Sequence, residues 1–95
     1  MPKYVFAYRI QEGSEGSPDA MAQWMAWFEE LGSAVVDAGN PVFSRSTLGN
    51  VGSGSALGGY SLITADDLEA AVTLAKGCPA LAGGGGVEVG ELAEM

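Results

Sequence analysis

Apolar and polar positions alternate along Lys3–Ile10. Tyr4, Phe6, Tyr8 and Ile10 point one way, and Lys3, Val5, Ala7 and Arg9 the other. Both sides carry apolar residues, which predicts a strand covered on both faces. Gln11-Glu-Gly-Ser-Glu-Gly16 follows as a polar, glycine-rich loop. Ser17-Pro18-Asp19 then marks a helix start, with Ser as N-cap, Pro at the first helical position and an acid in the first turn. Met21, Trp24, Met25, Phe28, Leu31 and Val35 recur at helical spacing and predict one buried stripe. Gly32 falls inside that stretch, at a cost of about 1 kcal/mol relative to Ala that close packing would offset. Ala38-Gly39-Asn40-Pro41 reads as a glycine cap and a proline stop.

Val42–Leu48 has the mixed alternation of a second strand, and Gly49–Ala56 is too long for a tight hairpin turn. Tyr60, Leu62 and Thr64 alternate with Ser61 and Ile63 as a third strand. Asp66 with Glu69 has capping-box spacing, and Thr64 with Asp67 is an alternative frame. Leu68, Ala71, Val72 and Ala75 mark the buried face of a second helix, which Gly77-Cys78-Pro79 ends. After Gly83–Gly86, Val87 and Val89 mark a last strand, and 91–95 reads as a tail or a strand extension. The order is β-α-β-β-α-β. With right-handed crossovers this order can be laid out as an α+β domain, a four-stranded antiparallel sheet with both helices on one face. On this reading Val5, Ala7 and Ile63 lie opposite Tyr4, Phe6 and Leu62, on a face no helix covers. A homodimer packed sheet on sheet is the simplest cover.

Composition supports the dimer and narrows the partners. Ninety-five residues make one domain, spanning residues 1–95. Only 17% of residues are charged while 47% are hydrophobic, so some apolar surface is expected to be covered by a second subunit. A net charge of −8, with Lys3, Arg9, Arg45 and Lys76 the only cations, argues against nucleic acid and against an anionic membrane surface. A single Cys78 cannot form an internal disulfide, and neither a signal-peptide pattern nor an apolar run of about 20 residues is visible. A soluble, cytoplasmic protein is expected.

The candidate chemistry is sparse. No His is present, which excludes Ser-His and Cys-His nucleophile systems and imidazole metal sites. No metal or cofactor is expected. Cys78 follows a helix end, where nothing lowers its pKa, and reads as a small buried residue. The Gly52-Ser-Gly54 and Gly83–Gly86 runs lack the Lys-Ser/Thr of a phosphate loop. Glu29 and Glu30 diverge by about 100° on a helix, and Asp66 and Asp67 are explained by capping, so neither pair makes an acid/base site. Trp24 and Phe28 read first as core, and Trp27 lies beside the stripe, bordering a pocket or the dimer contact. A small apolar ligand would fit between sheet and helices. The expected ligand-binding set is Tyr8, Trp24, Phe28, Asn40, Ser44, Arg45 and Tyr60, with no catalytic residue.

Several runs carry a family resemblance: Leu57-Gly-Gly-Tyr60-Ser-Leu-Ile63, Ala65-Asp-Asp-Leu-Glu-Ala-Ala71, Lys76-Gly-Cys-Pro79 and Gly86-Val-Glu-Val89 with Glu91. With Lys3-Tyr-Val-Phe6 and Val36-Asp-Ala-Gly-Asn-Pro41, the chain resembles the YCII-related (DGPF-type) domain family over nearly its whole length. The resemblance implies a ferredoxin-like dimeric α+β barrel, in a family of mostly small bacterial proteins of unassigned function. Some of its relatives are lyases or dehalogenating enzymes acting on small aromatic compounds. It also implies, for one branch, an acid/base His near the start of helix one paired with an Asp. Here that part reads Asp19-Ala-Met21-Ala-Gln23, and Gly49–Gly58 stands where the other branch has Asp-Gly-Pro-Phe. Three readings follow: a homodimer binding a small apolar or aromatic molecule without His chemistry, an enzyme using Tyr8, Tyr60 or Glu88, and a regulatory dimer without a ligand.

Overall fold

A computed structural model of the protein describes residues 2–11, 18–52 and 54–93. The expected Ser17 cap, most of the loop before it and the last two residues lie outside the described residues. The chain forms β1 (Lys3–Gln11), α1 (Pro18–Leu31), a 3-10 turn (Gly32–Ala34), β2 (Val35–Asp37), β3 (Ser55–Thr64), α2 (Leu68–Ala75), α3 (Pro79–Ala82) and β4 (Gly86–Glu91). Among the described residues the four strands make one antiparallel sheet in the order β2-β3-β1-β4. Because β1 and β2 are both antiparallel to β3, they run parallel to each other, joined across the sheet by α1.

The alternation expected for β1 decides which face is inside. Tyr4, Phe6 and Tyr8 are buried against Trp27, Leu31, Ala71 and Ala75 of α1 and α2. Each large apolar side chain so placed stabilises the fold by roughly 1.5–3 kcal/mol. Ile63 corrects the expected face assignment. It pairs with Tyr4 and is fully buried on the helix side, whereas Leu62 pairs with Val5 on the other face.

Five further expectations are corrected. Val42–Leu48 is not a strand; the second strand is Val35–Asp37, and Pro41 makes only an isolated bridge to Gly59. Gly32 does not sit within a helix but stops one, its φ of +54° being cheap only for glycine. With the helix ended, Val35 joins the sheet opposite Ile63. The α1 stripe is also rotated: Trp27 is buried, whereas Met21 and Met25 are 69% and 65% exposed. In α2 the buried positions are Ala71 and Ala75, with Leu74 packed beside them, and Leu68 and Val72 face outward. Its N-cap is Asp67, whose carboxylate accepts the Ala70 N–H at 2.8 Å, so neither capping frame expected from spacing is used.

Beyond α2, Cys78 stands at the N-cap position of α3 without a side-chain cap bond, with Pro79 in the first turn, an element the sequence pattern left as a stop. Gly77 lies against the Trp27 indole, where a Cβ would come within 3.2 Å of the ring. The Trp27 ring packs there, and its Nε1–H donates to the Leu74 carbonyl at 3.3 Å.

Candidate functional site

Two faces of the sheet offer sites, and the expected ligand residues divide between them. On the helix side, Tyr8, Trp24 and Phe28 meet around Trp27. Tyr8 stands edge-on to Trp24 with centroids 4.6 Å apart, and Trp24 and Phe28 lie 5.7 and 5.3 Å from Trp27. Phe6 stacks on the far side of Trp27 at 5.9 Å. Aromatic contacts at these separations are packing contacts. The space beside Trp24 and Phe28 is therefore occupied by neighbouring rings.

Within that cluster one polar path is closed. The Tyr8 hydroxyl donates to Ser61 Oγ at 2.7 Å, and Ser61 Oγ donates to the Ala38 carbonyl at 2.6 Å. Ser61 is fully buried, and among the described residues no buried side-chain nitrogen or oxygen lacks a partner. Burial pushes the Tyr8 hydroxyl up to about 12, with the bond to Ser61 acting in the opposite direction. The Cys78 thiol is raised for the same reason, burial, against the opposing effect of the Ala80 and Leu81 N–H groups. Both groups stay neutral at physiological pH, which makes Tyr8 a poor base and Cys78 a poor nucleophile.

Tyr60 belongs to the opposite, open face. It pairs with Ala7, and its hydroxyl accepts from Asn40 Nδ2 at 3.2 Å. Gly39 makes this junction possible, with a φ of +76° and a position where a Cβ would lie 1.8 Å from the Tyr60 carbonyl. Its N–H donates to Asp37 Oδ1 at 2.8 Å, fixing the turn out of β2. Ser44 and Arg45 lie on the exposed segment beyond, and Arg45 donates to the Val42 carbonyl at 2.8 Å. Asn40 and Tyr60 are thus brought together, while Ser44 and Arg45 are in no bond with them. Phe43 and Leu48, on the same segment, are 84% and 89% exposed.

The open face has an ordered composition. Down its centre run Lys3, Val5, Ala7 and Arg9, flanked on β3 by Thr64, Leu62, Tyr60 and Leu57, and on β4 by Gly90, Glu88 and Gly86. A register shift at Tyr8/Arg9 leaves Gly58 unpaired, a bulge that keeps Leu57 on this face beside Arg9. Arg9 lies along the sheet, its Nε–H donating to Ser55 Oγ at 3.3 Å and a terminal N–H to the Ser55 carbonyl at 3.2 Å. Pairing places Asp37, opposite Leu62, at the other margin. Arg9, Leu57 and Glu88 were absent from the expected ligand set; strict alternation plus the bulge was the signal that could have located the first two.

Charge separates this face from the rest of the chain. Lys3 and Arg9 balance Asp37 and Glu88, so the face is neutral. The remaining residues hold two cations against ten acids, from totals of four and twelve. Two shallow concavities lie elsewhere, each about 450 Å³ or slightly less. One is at the α1–α3 junction beside Trp27 and Cys78, the other between α2 and β4 beside Val72, Leu81 and Val87. Among the described residues no three of His, Cys, Asp and Glu cluster to hold a metal, and no helix is long and apolar enough to cross a membrane. No family model matches the chain, and no curated protein matches it either.

Proposed function

We propose that the protein is a YCII-like homodimer, ferredoxin-like in each subunit, that holds a small apolar or aromatic molecule between two opposed sheet faces. The observation that carries this reading is the open face itself. Val5, Ala7, Leu62 and Tyr60 lie beside one another, half-buried and outside the packed core, and the charges around them sum to zero in a chain of net −8. Two such chains repel over most of their surface. The neutral face is where they would meet at least cost, with Arg9 and Lys3 of one subunit able to face Glu88 and Asp37 of the other. The strand order β2-β3-β1-β4 supports the ferredoxin-like plan, and sheets packed face to face stand about 10 Å apart.

Between sheets so spaced, Ala7 and Gly90 are the small residues and Tyr60 the adjacent aromatic. The binding region is drawn there, because on the helix side Trp24, Trp27, Phe28 and Tyr8 fill the space. Tyr60 and Asn40 supply its polar rim. Catalysis is not part of the proposal: Tyr8 is held neutral as a donor to Ser61, and Cys78 is buried. The protein would act as a carrier or sensor in a cytoplasmic setting. Ligand-observed NMR with phenol, indole and benzoate as probes tests the binding. Saturation transfer to at least one probe is expected, weakened several-fold in Tyr60→Ala. No transfer to any of the three at millimolar concentration contradicts the binding reading.

A further inference from the structure

We infer that Arg9 makes the ligand region of the open face an anion site, so that the molecule it takes is an aryl carboxylate, with its ring over Ala7 and its carboxylate at the Arg9 guanidinium. The inference rests on the ligand reading above and adds the charge of the ligand. Of the four cations in the chain, Lys3, Arg45 and Lys76 are exposed and Arg9 alone is half-buried. Its guanidinium is held from the start of β3, by Ser55 Oγ at 3.3 Å and the Ser55 carbonyl at 3.2 Å. Both acceptors are neutral, so they orient the charge without cancelling it. The guanidinium has further N–H groups in the same plane, enough to grip a carboxylate by both oxygens. A cation fixed in this way loses less freedom on binding than an exposed lysine would.

Strand register sets the surroundings of the charge. Arg9 pairs with Leu57 on β3 and with Gly86 on β4. A Cβ on Gly86 would meet nothing within 4 Å, so the β4 side of Arg9 stays open. One step inward along the same face comes Ala7, between Tyr60 and Glu88. Side chains on one face recur about 7 Å apart along a strand and about 5 Å apart across strands, which suits a single substituted ring. Leu57, Ala7 and Tyr60 provide its apolar and aromatic contacts. Glu88 stands on the β4 side of Ala7, and its charge turns the anionic end of the ligand toward Arg9 and Ser55. Without ligand, Glu88 of the other subunit can face the same N–H groups, and a bound carboxylate takes its place.

The charge of the whole chain makes this preference informative. At net −8 the protein repels anions at long range. An anion that binds more tightly than a neutral molecule of the same shape therefore requires a local contact with a placed cation.

Isothermal titration of the full chain with benzoate and with benzamide, matched in shape and different in charge, tests the site. Wild type should bind benzoate about tenfold more tightly than benzamide. Arg9→Gln should abolish that preference and leave benzamide binding as it was. Ser55→Ala releases the guanidinium and should reduce the preference several-fold. Equal affinities in wild type, or a preference that survives Arg9→Gln, overturn the anion site while the ligand reading stands. Should Arg9→Gln not fold, a benzoate-to-benzamide ratio unchanged in Ser55→Ala overturns it instead. Binding of neither compound also overturns it, and the ligand reading falls with it only when phenol and indole fail as well.

Discussion

Gly39 and Gly32 both have positive φ, yet they should respond differently to the same substitution. A Cβ on Gly39 would meet the Tyr60 carbonyl at 1.8 Å, while nothing lies within 4 Å of one on Gly32. Gly32→Ala should therefore cost only the left-handed strain, about 1–2 kcal/mol. Gly39→Ala should cost more than about 3 kcal/mol, since β2 or β3 must move. Urea denaturation of the two variants measures the difference, and equal losses would show that the Gly39–Tyr60 approach is not tight. Tyr8 gives a pH-dependent test at the same scale. Its folded-state value, near 12, lies above the ordinary value of 10. The stabilisation is therefore complete below pH 10 and is lost as pH rises from 10 through 12. Tyr8→Phe should cost about 1 kcal/mol at pH 7 for the lost bond to Ser61. That difference from wild type should shrink at pH 11, as followed by denaturation monitored through Trp24 and Trp27. A difference that stays constant would mean Tyr8 titrates normally. None of this relay could be read from sequence, because Ser61 is polar at a position whose neighbours only say that it alternates.

At the scale of elements, β1, β3, α2 and β4 were legible because each repeats a single period over enough residues. The failures cluster where two periods overlap. Val35 falls on the helical stripe of Leu31, but Gly32 intervenes, and the β-branched pair Val35-Val36 then prefers extended backbone. Once the helix is stopped at Leu31, these residues supply the edge strand and Val42–Leu48 is released as exposed chain. The α1 rotation has a comparable cause. Trp27 can be buried because Gly77, distant in sequence, leaves room for its ring, and no local pattern encodes that. In α2 the cap is decided by one residue: Asp67→Ala should cost about 1 kcal/mol and Asp66→Ala little, as thermal melts of the two variants would show. The reverse order would reinstate the frame starting at Asp66.

Over the whole molecule, the packed core lies on the helix side of the sheet, and Val5, Ala7, Leu62 and Tyr60 on the other face are only half-buried. From sequence, Tyr8 and Tyr60 read as polar groups at strand ends and Trp24 and Phe28 as members of the α1 stripe, all taken to border one space between sheet and helices. Alternation along β3 puts Tyr60 on the opposite side from Ser61 and Ile63, and that parity was the information needed. The face that results combines apolar residues with balanced charge, and it underlies both the proposed dimer and its ligand region. Raising salt should change this contact little, since most of it is apolar and its ion pairs are few, while easing the repulsion between two chains of net −8. Association should therefore strengthen modestly between low and physiological ionic strength, measured by sedimentation; weakening would mean that ion pairs dominate the contact.

The most direct test of the open face is a mass measured by light scattering at micromolar concentration, for wild type and Ala7→Glu side by side. Ala7 sits at the middle of β1 between Tyr60 and Glu88, so a carboxylate there adds charge at the centre of the contact without touching the helix-side core. A wild-type mass of two or more subunits, reduced in Ala7→Glu while the variant keeps its fold by circular dichroism, is the predicted result. A wild-type monomer, or a mass unchanged by Ala7→Glu, would contradict it.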